Sequence, residues 1–264
     1  MTESEYRKHS GISRTELWKL KDSPEKFKWF QDHPEEPTPA LAFGAMAHKL
    51  MLEPKTFFDE FAVAPDVDRR TKDGRDSYNR FLAELDGKTV ISQQDFNIAV
   101  GMRNKATESE FLLKLLSGER EKPFFWVDQL TNEECKVRVD CVSQIGENLV
   151  IIDYKTTTDA STDGFMRHAI NLGYDFQAGM YCAGVEAVTG KKPLFVFIAQ
   201  EKAEPYSVNI MQADEAFINR GYDIFRELIG TYHDCKITGN WYGYLGKYDV
   251  INNLCLPAWA KEVE

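Results

Sequence analysis

The chain has 264 residues, of which 43% are hydrophobic, 12% aromatic and 28% charged, a balance that suits a folded globular protein and excludes fibrous or low-complexity classes. A formal net charge of -10 argues against a protein that coats nucleic acid through a broad basic face, while leaving room for a local basic groove beside clustered carboxylates. No apolar run approaches the roughly 18–20 residues of a membrane span, MTESEYRKHS lacks the apolar core of a signal peptide, and five scattered cysteines without a C-x-x-C pair argue against a disulfide framework or a four-cysteine metal site. A cytoplasmic protein with no membrane partner is expected.

In chain order, Ser13-Arg14-Thr15-Glu16 has capping-box spacing and Ser23-Pro24 sets a cap before proline, which predicts short helices over 13–21 and 24–31. Prolines at 34, 37 and 39 interrupt the pattern, and a compact helix over 40–52 ends at Glu53-Pro54. A short strand over 61–64 precedes helices over 73–86 and 93–116, the second capped by Ser92. The texture then changes. Segments 124–127, 135–142 and 149–155 are rich in β-branched and aromatic residues and read as strands. Helices over 162–170 and 174–189, strands over 193–200 and 205–211, and a long helix over 213–234 complete the chain. With no linker or repeat in view, residues 1–264 read as one domain: a mostly helical portion, 1–120, and an α/β core, 121–264, built on a mixed sheet flanked by helices.

Chemistry concentrates in Val137–Thr157. The apolar run Val150-Ile151-Ile152 has the character of a buried strand, yet it runs into Asp153-Tyr154-Lys155, where charge serves no packing purpose. Residues two apart share a strand face, so Asp153 projects with Lys155 and Arg138 with Asp140. If Gly146-Glu147 form the turn, Asp140 faces Asp153 and Arg138 faces Lys155 across the hairpin. Two carboxylates so placed repel unless a cation sits between them, and a hard divalent ion such as Mg²⁺ meets that need. A plain hairpin with surface charges is the competing account, and a register slip of one residue would put the two aspartates on opposite faces.

Asp140 followed by Asp153-Tyr154-Lys155 resembles the D…(D/E)-x-K signature of the PD-(D/E)XK nucleases, and the chain more closely resembles the RecE-type (exonuclease VIII) recombination exonucleases. The ordered set comprises Ile12-Ser13, Phe43-Gly44-Ala45-Met46-Ala47-His48, Leu52-Glu53-Pro54, Val63-Ala64-Pro65, Arg69-Arg70-Thr71, Arg138-Val139-Asp140, Asp153 to Thr157, Gln177 with Tyr181, and Leu256 to Glu262. The resemblance implies a restriction-endonuclease-like PD-(D/E)XK core with a helical N-terminal elaboration. It implies Asp140 and Asp153 as metal-binding carboxylates, the Tyr154 carbonyl as an added ligand, Lys155 as the lysine beside the attacking water and scissile phosphate, and His48 as a histidine near the metals. Gln177 and Tyr181 match a Q-x-x-x-Y element, and their spacing puts both on one helix face. Without the resemblance, His48 reads as a core histidine and Gln177 and Tyr181 as a surface amide and a half-buried ring. Glu121 is the choice for a further acid before the first core strand, with Glu119 as competitor and a solvated charged run as the plain alternative.

Arg69, Arg70, Lys72 and Arg75 form the densest cationic loop and are candidates for DNA phosphate contact. Lys19, Lys21, Lys26 and Lys28 form a second basic stretch, whose interleaved Phe27, Trp29 and Phe30 suit a core better than base stacking. The resemblance implies a Mg²⁺-dependent exonuclease, with Mn²⁺ as substitute, that degrades linear double-stranded DNA 5′-to-3′ and leaves 3′ tails for recombination by strand annealing. It also implies a ring-shaped homo-oligomer (a tetramer in that family) around DNA ends and a single-strand annealing protein as partner, with host or phage and prophage origin left open. Other readings are a PD-(D/E)XK endonuclease, a CRISPR-associated exonuclease whose iron–sulfur cysteines this chain lacks, and a non-catalytic DNA-binding or assembly module on the same fold.

Overall fold

The computed structural model describes residues 3–33, 38–248 and 251–255. Residues 256–264, with the closing segment of the family-like pattern, lie outside the described residues, as do Pro34 and Pro37. The N-terminal portion carries α1 (Glu3–Lys8), β1 (Ile12–Ser13), α2 (Arg14–Leu20), α3 (Pro24–Asp32) and α4 (Pro39–Leu52). Ser13 and Glu16 close the expected capping box, and Ser23 caps α3 through the Lys26 N–H. There follow α5 (Phe57–Glu60), β2 (Phe61–Val63), α6 (Lys72–Ala83), β3 (Thr89–Ile91), α7 (Gln93–Thr107) and α8 (Glu110–Leu115). The expected helix over 93–116 is therefore two. Ser109 takes an extended backbone and accepts from the Leu112 N–H, so it starts a new helix instead of continuing the old one.

The core consists of β4 (Glu119–Val127), β5 (Glu134–Ile145), β6 (Asn148–Thr157), α9 (Thr162–Asn171), α10 (Tyr174–Thr189), β7 (Leu194–Glu201), β8 (Val208–Gln212) and α11 (Glu215–Thr238). The expected strand at 205–211 starts only at Val208, because Tyr206 adopts a left-handed backbone with φ of 59°. The main sheet is mixed. β5 pairs antiparallel with β4 on one edge, and β6 pairs parallel with β7, which pairs antiparallel with β8. The other edge of β5 is shared: β1 docks parallel at Cys135 and Lys136, and β6 pairs from Cys141 onward. Val137 to Asp140 lie between these two partners, and that interval shapes the site.

Helices cover both faces. α2, α3, α9, α10 and α11 bury Leu17, Phe27, Phe165, Phe176 and Phe225 against Val137, Val139, Ile151, Phe195 and Phe197. α4, α7 and α8 bury Leu52, Ala106 and Leu112 against Cys141, Val150, Ile152, Tyr154 and Ile198 on the opposite face. The alternation along β6 is thus Ile151, Asp153 and Lys155 toward α10, and Ile152 with Tyr154 toward α4. α10 and α11 cross in close contact: a Cβ on Gly221 would lie 1.7 Å from the Asp175 carbonyl oxygen. At the other end of α11, Arg226 pairs with Asp128, while His233 and Lys236 bond Glu133 at 2.9 and 2.6 Å. Cys135, Cys141, Cys182 and Cys235 are buried free thiols. Phe27 is core, stacked on Trp241, whereas Trp29 is exposed and lies on His33. No helix among the described residues is long and apolar enough to cross a membrane.

Candidate active site

The β5–β6 hairpin turns at Gly146-Glu147, with Gly146 in the left-handed region at φ 62°. The register that follows pairs Cys141 with Ile152 and Ile145 with Asn148. One more step would put Asp140 opposite Asp153, but the ladder stops before it. The strands fork, and the Tyr154 N–H donates at 2.8 Å to the Asp140 carboxylate in place of a backbone carbonyl. The expected cross-strand pairs Asp140–Asp153 and Arg138–Lys155 therefore do not form. Two unneutralised carboxylates resist a direct ladder position, and a fork with a side-chain acceptor satisfies the freed N–H.

A break in the pleat accompanies the fork. Val139 and Val142 both belong to the core under α10 while Cys141 belongs to the opposite core, so β5 changes face between them. β4 does the same beside it: Lys122 pairs with Val139 and Arg120 with Cys141, while Glu121, between them, has no ladder partner and a φ of 51°. That backbone is uncommon for a residue with a Cβ and costs on the order of 1–3 kcal/mol. It turns the Glu121 carboxylate toward Asp140 and the helix above.

That helix is α4, which lies close enough to β6 for a Cβ on Gly44 to sit 3.7 Å from Thr156 Oγ1. It brings His48 over the fork. His48 Nε2 lies 2.9 Å from Asp140 Oδ2 and Nδ1 lies 3.6 Å from Glu121 Oε1, while Arg138 Nε holds the other Glu121 oxygen at 2.9 Å. From the opposite face α10 contributes Gln177, whose amide donates to Asp153 Oδ1. Lys155 Nζ is 2.5 Å from Asp153 Oδ2 and 4.9 Å from the centre of the Tyr174 ring. Tyr181, one turn beyond Gln177, has its phenol pushed far above its ordinary range, first by burial and then by Asp153 and Asp140.

The electrostatics describe anions held together by three cations, His48, Lys155 and Arg138. Burial opposes charge on His48, but Asp140 and Glu121 outweigh it and raise the imidazole to about 9, so at neutral pH the ring is a cation between the Asp140 carboxylate and the Glu121 carboxyl. Burial first, then Asp140, lifts the Glu121 carboxyl to about 7. Asp153 is raised to about 6 by burial and by Asp140, with Lys155 opposing. Asp140 stays below the usual carboxylate range despite burial, because His48, Lys155 and the Tyr154 N–H stabilise its charge. Divergent carboxyl environments of this kind mark sites built for chemistry more often than for stability.

One ligand atom each from His48, Glu121 and Asp140 lie within 4.8 Å of one another. Glu121 Oε1 is buried and accepts no hydrogen bond, which fits a donor set kept for a cation. Two carboxylates and an imidazole suit a divalent ion with a preference for oxygen. Of the candidate ligands, His48 and Asp140 meet in this trio, joined by Glu121. Asp153 stands beside it with both oxygens engaged by Gln177 and Lys155, and Tyr154 enters through its N–H. Glu119 is elsewhere, paired with Lys122 at 2.6 Å on the surface.

Arg69, Arg70, Lys72 and Arg75 cluster around the start of α6, apart from the fork. Arg69 stacks on Tyr78 and lines a cleft of about 1040 Å³ walled by α7 and Tyr206. Arg75 donates to the Arg70 carbonyl, and the Arg70 side chain is 96% exposed. Lys19 and Lys21 lie over Phe30 and Trp18, so the second basic stretch is largely spent on local packing. Three neighbours of the site escaped the sequence reading as functional candidates. Arg138 clamps Glu121, and its place two residues before Asp140 was the available signal. Tyr174 lies under Lys155. Arg14 donates to the carbonyls of Leu172 and Gly173 while its buried Nε finds no partner.

Residues 13–253 match the family model described as PDDEXK-like domain of unknown function (DUF3799). The chain belongs to this family. Among solved structures it resembles a "Putative exonuclease" from Eubacterium rectale, with a TM-score of 0.64 and 15% identity over 99% of this chain and 97% of that one. At that identity the likeness establishes the fold: a PDDEXK-like mixed sheet flanked by helices, with helices at the N-terminus. A second structure, that of SSO0001, covers 86% of this chain and 81% of its own at 11% identity, and its TM-score of 0.38 carries no argument. No curated protein matches the chain by sequence.

Proposed function

We propose that this protein is a divalent-metal-dependent DNA exonuclease whose reaction takes place in the β5–β6 fork. The observation that carries the reading is the convergence of His48, Glu121 and Asp140 on one point, with the Asp153–Lys155 pair beside it. His48, Glu121 and Asp140 would hold the ion, with Asp153 next to it. When bound, a divalent cation supplies Lewis acidity toward a phosphoryl oxygen and acidifies a water. Lys155 holds a proton at Nζ, fixed by Asp153 and Asp140 against the burial that would strip it. Its positive charge beside a scissile phosphate favours the more highly charged transition state. Gln177 fixes the Asp153 carboxylate, and Arg138 fixes Glu121, so both acids keep their orientation without moving through solvent.

The finer reading rests on the RecE-type resemblance of the ordered motifs: 5′-to-3′ degradation of linear duplex DNA, 3′ tails for strand annealing, Mg²⁺ with Mn²⁺ as substitute, a ring-shaped homo-oligomer around the DNA end and a single-strand annealing partner. A ring also accounts for an acidic total charge, since only its inner wall needs the basic residues. Family membership supports the nuclease class, and the metal-capable trio supports the cation. Incubation of linear duplex labelled at one 5′ end, with Mg²⁺, with EDTA and with Asp153→Ala, tests the proposal. Release of the 5′ label in Mg²⁺ alone is the expected result. Intact DNA with every metal tried would overturn the catalytic reading in favour of a binding module.

A further inference from the structure

Beyond Lys155 the strand β6 continues as Thr156 and Thr157, and its end forms the floor of a pocket of about 330 Å³. Thr157, Thr158, His168, Asn171, Tyr174 and Lys202 are among the residues that line it, and no carboxylate is. The contrast with the neighbouring fork is sharp, since the fork gathers three acids. Lys202 has no carboxylate partner among the described residues. Its ammonium lies 5.6 Å from the centre of the Phe43 ring, and its backbone N–H donates to the Thr157 carbonyl at 3.3 Å. His168 Nδ1 and Thr157 Oγ1 are 3.3 Å apart. The far wall is the α9–α10 turn, which Arg14 anchors through the Leu172 and Gly173 carbonyls.

Pocket and fork are contiguous. Tyr174 lines the pocket and also lies under the Lys155 ammonium. Lys155 and Thr157 are two residues apart on one strand, about 7 Å, which is the order of the distance between successive phosphates along a nucleic-acid strand. The Thr157 hydroxyl is used locally, donating to the Asp159 carbonyl at 3.1 Å, which leaves the Thr158 hydroxyl, the Asn171 amide, the His168 imidazole and the Lys202 ammonium, with no carboxylate in the lining, as a donor set for a phosphoryl group. We infer that this pocket is a phosphate subsite that holds the phosphate of the nucleotide adjacent to the one at the fork, with Lys202 as its cation. The inference rests on the nuclease reading for its substrate. That phosphate is either an internal diester or a terminal monophosphate.

Binding of a labelled blunt duplex to the full-length protein, titrated against salt in Ca²⁺, tests the inference without requiring turnover. Two variants keep it falsifiable: Lys202→Gln removes the cation at a partly exposed position, and Asn171→Asp adds a carboxylate of the same shape. Each is expected to weaken binding about threefold to tenfold, and Lys202→Gln to reduce the slope of log affinity against log salt by about 0.9, as for one lost phosphate contact. Lys202→Arg should retain affinity and slope. A loss confined to 5′-phosphorylated ends identifies a terminal monophosphate, and an equal loss with 5′-hydroxyl ends identifies an internal diester. Unchanged affinity and slope in both variants overturn the subsite, as does a wild-type protein that binds neither duplex. Wild-type protein that binds but cuts nothing in Mg²⁺ or Mn²⁺ refutes the nuclease reading, while the variant comparison still decides the subsite.

Discussion

Glu121→Gln isolates the charge crowding that the fork creates. Burial and Asp140 raise the Glu121 carboxyl from 4.5 to about 7. A carboxyl raised on folding destabilises the native state as soon as the pH passes its unfolded value; the cost starts near 4.5 and is complete above about 7. At about 1.4 kcal/mol per pH unit, the interval corresponds to about 3 kcal/mol. Glutamine keeps the shape and the left-handed backbone but carries no charge. It forfeits the ion pair with Arg138 at 2.9 Å, so the net gain for the metal-free protein near pH 8 should be about 2 kcal/mol, or about 4–8 °C in Tm. Near pH 5 Glu121 is protonated in the fold, and the gain should fall below about 1 kcal/mol.

Thermal unfolding in EDTA at the two pH values measures this directly, and repeating it with Mg²⁺ adds the functional half. Wild-type protein should gain stability from the ion according to its saturation, about 2.7 kcal/mol at a hundred times Kd, whereas Glu121→Gln should gain much less. A variant no more stable than wild type near pH 8, or one whose advantage is the same near pH 5, would refute the account of Glu121 as an acid held under electrostatic strain for a cation.

Four further outcomes are expected. Lys155→Ala should lower kcat on DNA by about 10²–10³-fold with little change in affinity, because its cation acts on the transition state; an equal fall in both would contradict that role. Gln177→Leu should cost about 10–100-fold in kcat by freeing the Asp153 carboxylate, together with about 1–3 kcal/mol of stability from the buried oxygen left without its donor. Glu133 is held below its ordinary 4.5, since the hydrogen bonds from Lys236 and His233 overcome the effect of burial. Its stabilisation is therefore present above 4.5 and lost as the pH falls through the depressed value, so Glu133→Gln should cost about 1–3 kcal/mol in neutral urea melts and progressively less in acid. Gly221→Ala should destabilise by more than about 3 kcal/mol, since its Cβ would meet the Asp175 carbonyl at 1.7 Å and α10 and α11 would have to separate; wild-type Tm in that variant would contradict the close crossing.

Where local chemistry dictated structure, the sequence was a sufficient guide. The Ser13–Glu16 capping box, the Ser23-Pro24 start and the Gly146-Glu147 turn each rest on contacts within a few residues, and each is present. The hairpin register followed from the turn and held from Ile145 to Cys141. It failed at Asp140 because the forces there come from elsewhere in the chain. His48 from α4 and Gln177 from α10 reach the two aspartates from opposite faces, and no pattern within the hairpin carries the arrival of those helices. The break of a single helix at Ser109 was legible in principle, since serine followed by Glu110 is a cap signal inside an apolar pattern.

Glu121 was the acid preferred over Glu119 in the sequence, but its left-handed backbone was not legible there. Charge spacing in Glu119-Arg120-Glu121-Lys122 gives no reason to prefer one glutamate over the other. The backbone separates them: Glu119 remains in the ladder and pairs with Lys122 at the surface, while Glu121 leaves it, changes the face of β4 and meets His48 and Asp140. A strand that gives up a ladder position, adopts an unfavourable φ and raises a carboxyl to about 7 accumulates unfavourable terms on one residue. Packing offers no return for them, because the side chain is turned from the apolar cores toward other charges. Such terms persist where the surrounding fold over-determines the residue, here through Arg138 on one oxygen and the protonated His48 near the other. His48 is thus a cation shared between Asp140 and Glu121, which makes a histidine in an otherwise apolar helix intelligible, and a divalent ion held by the same atoms would displace its proton.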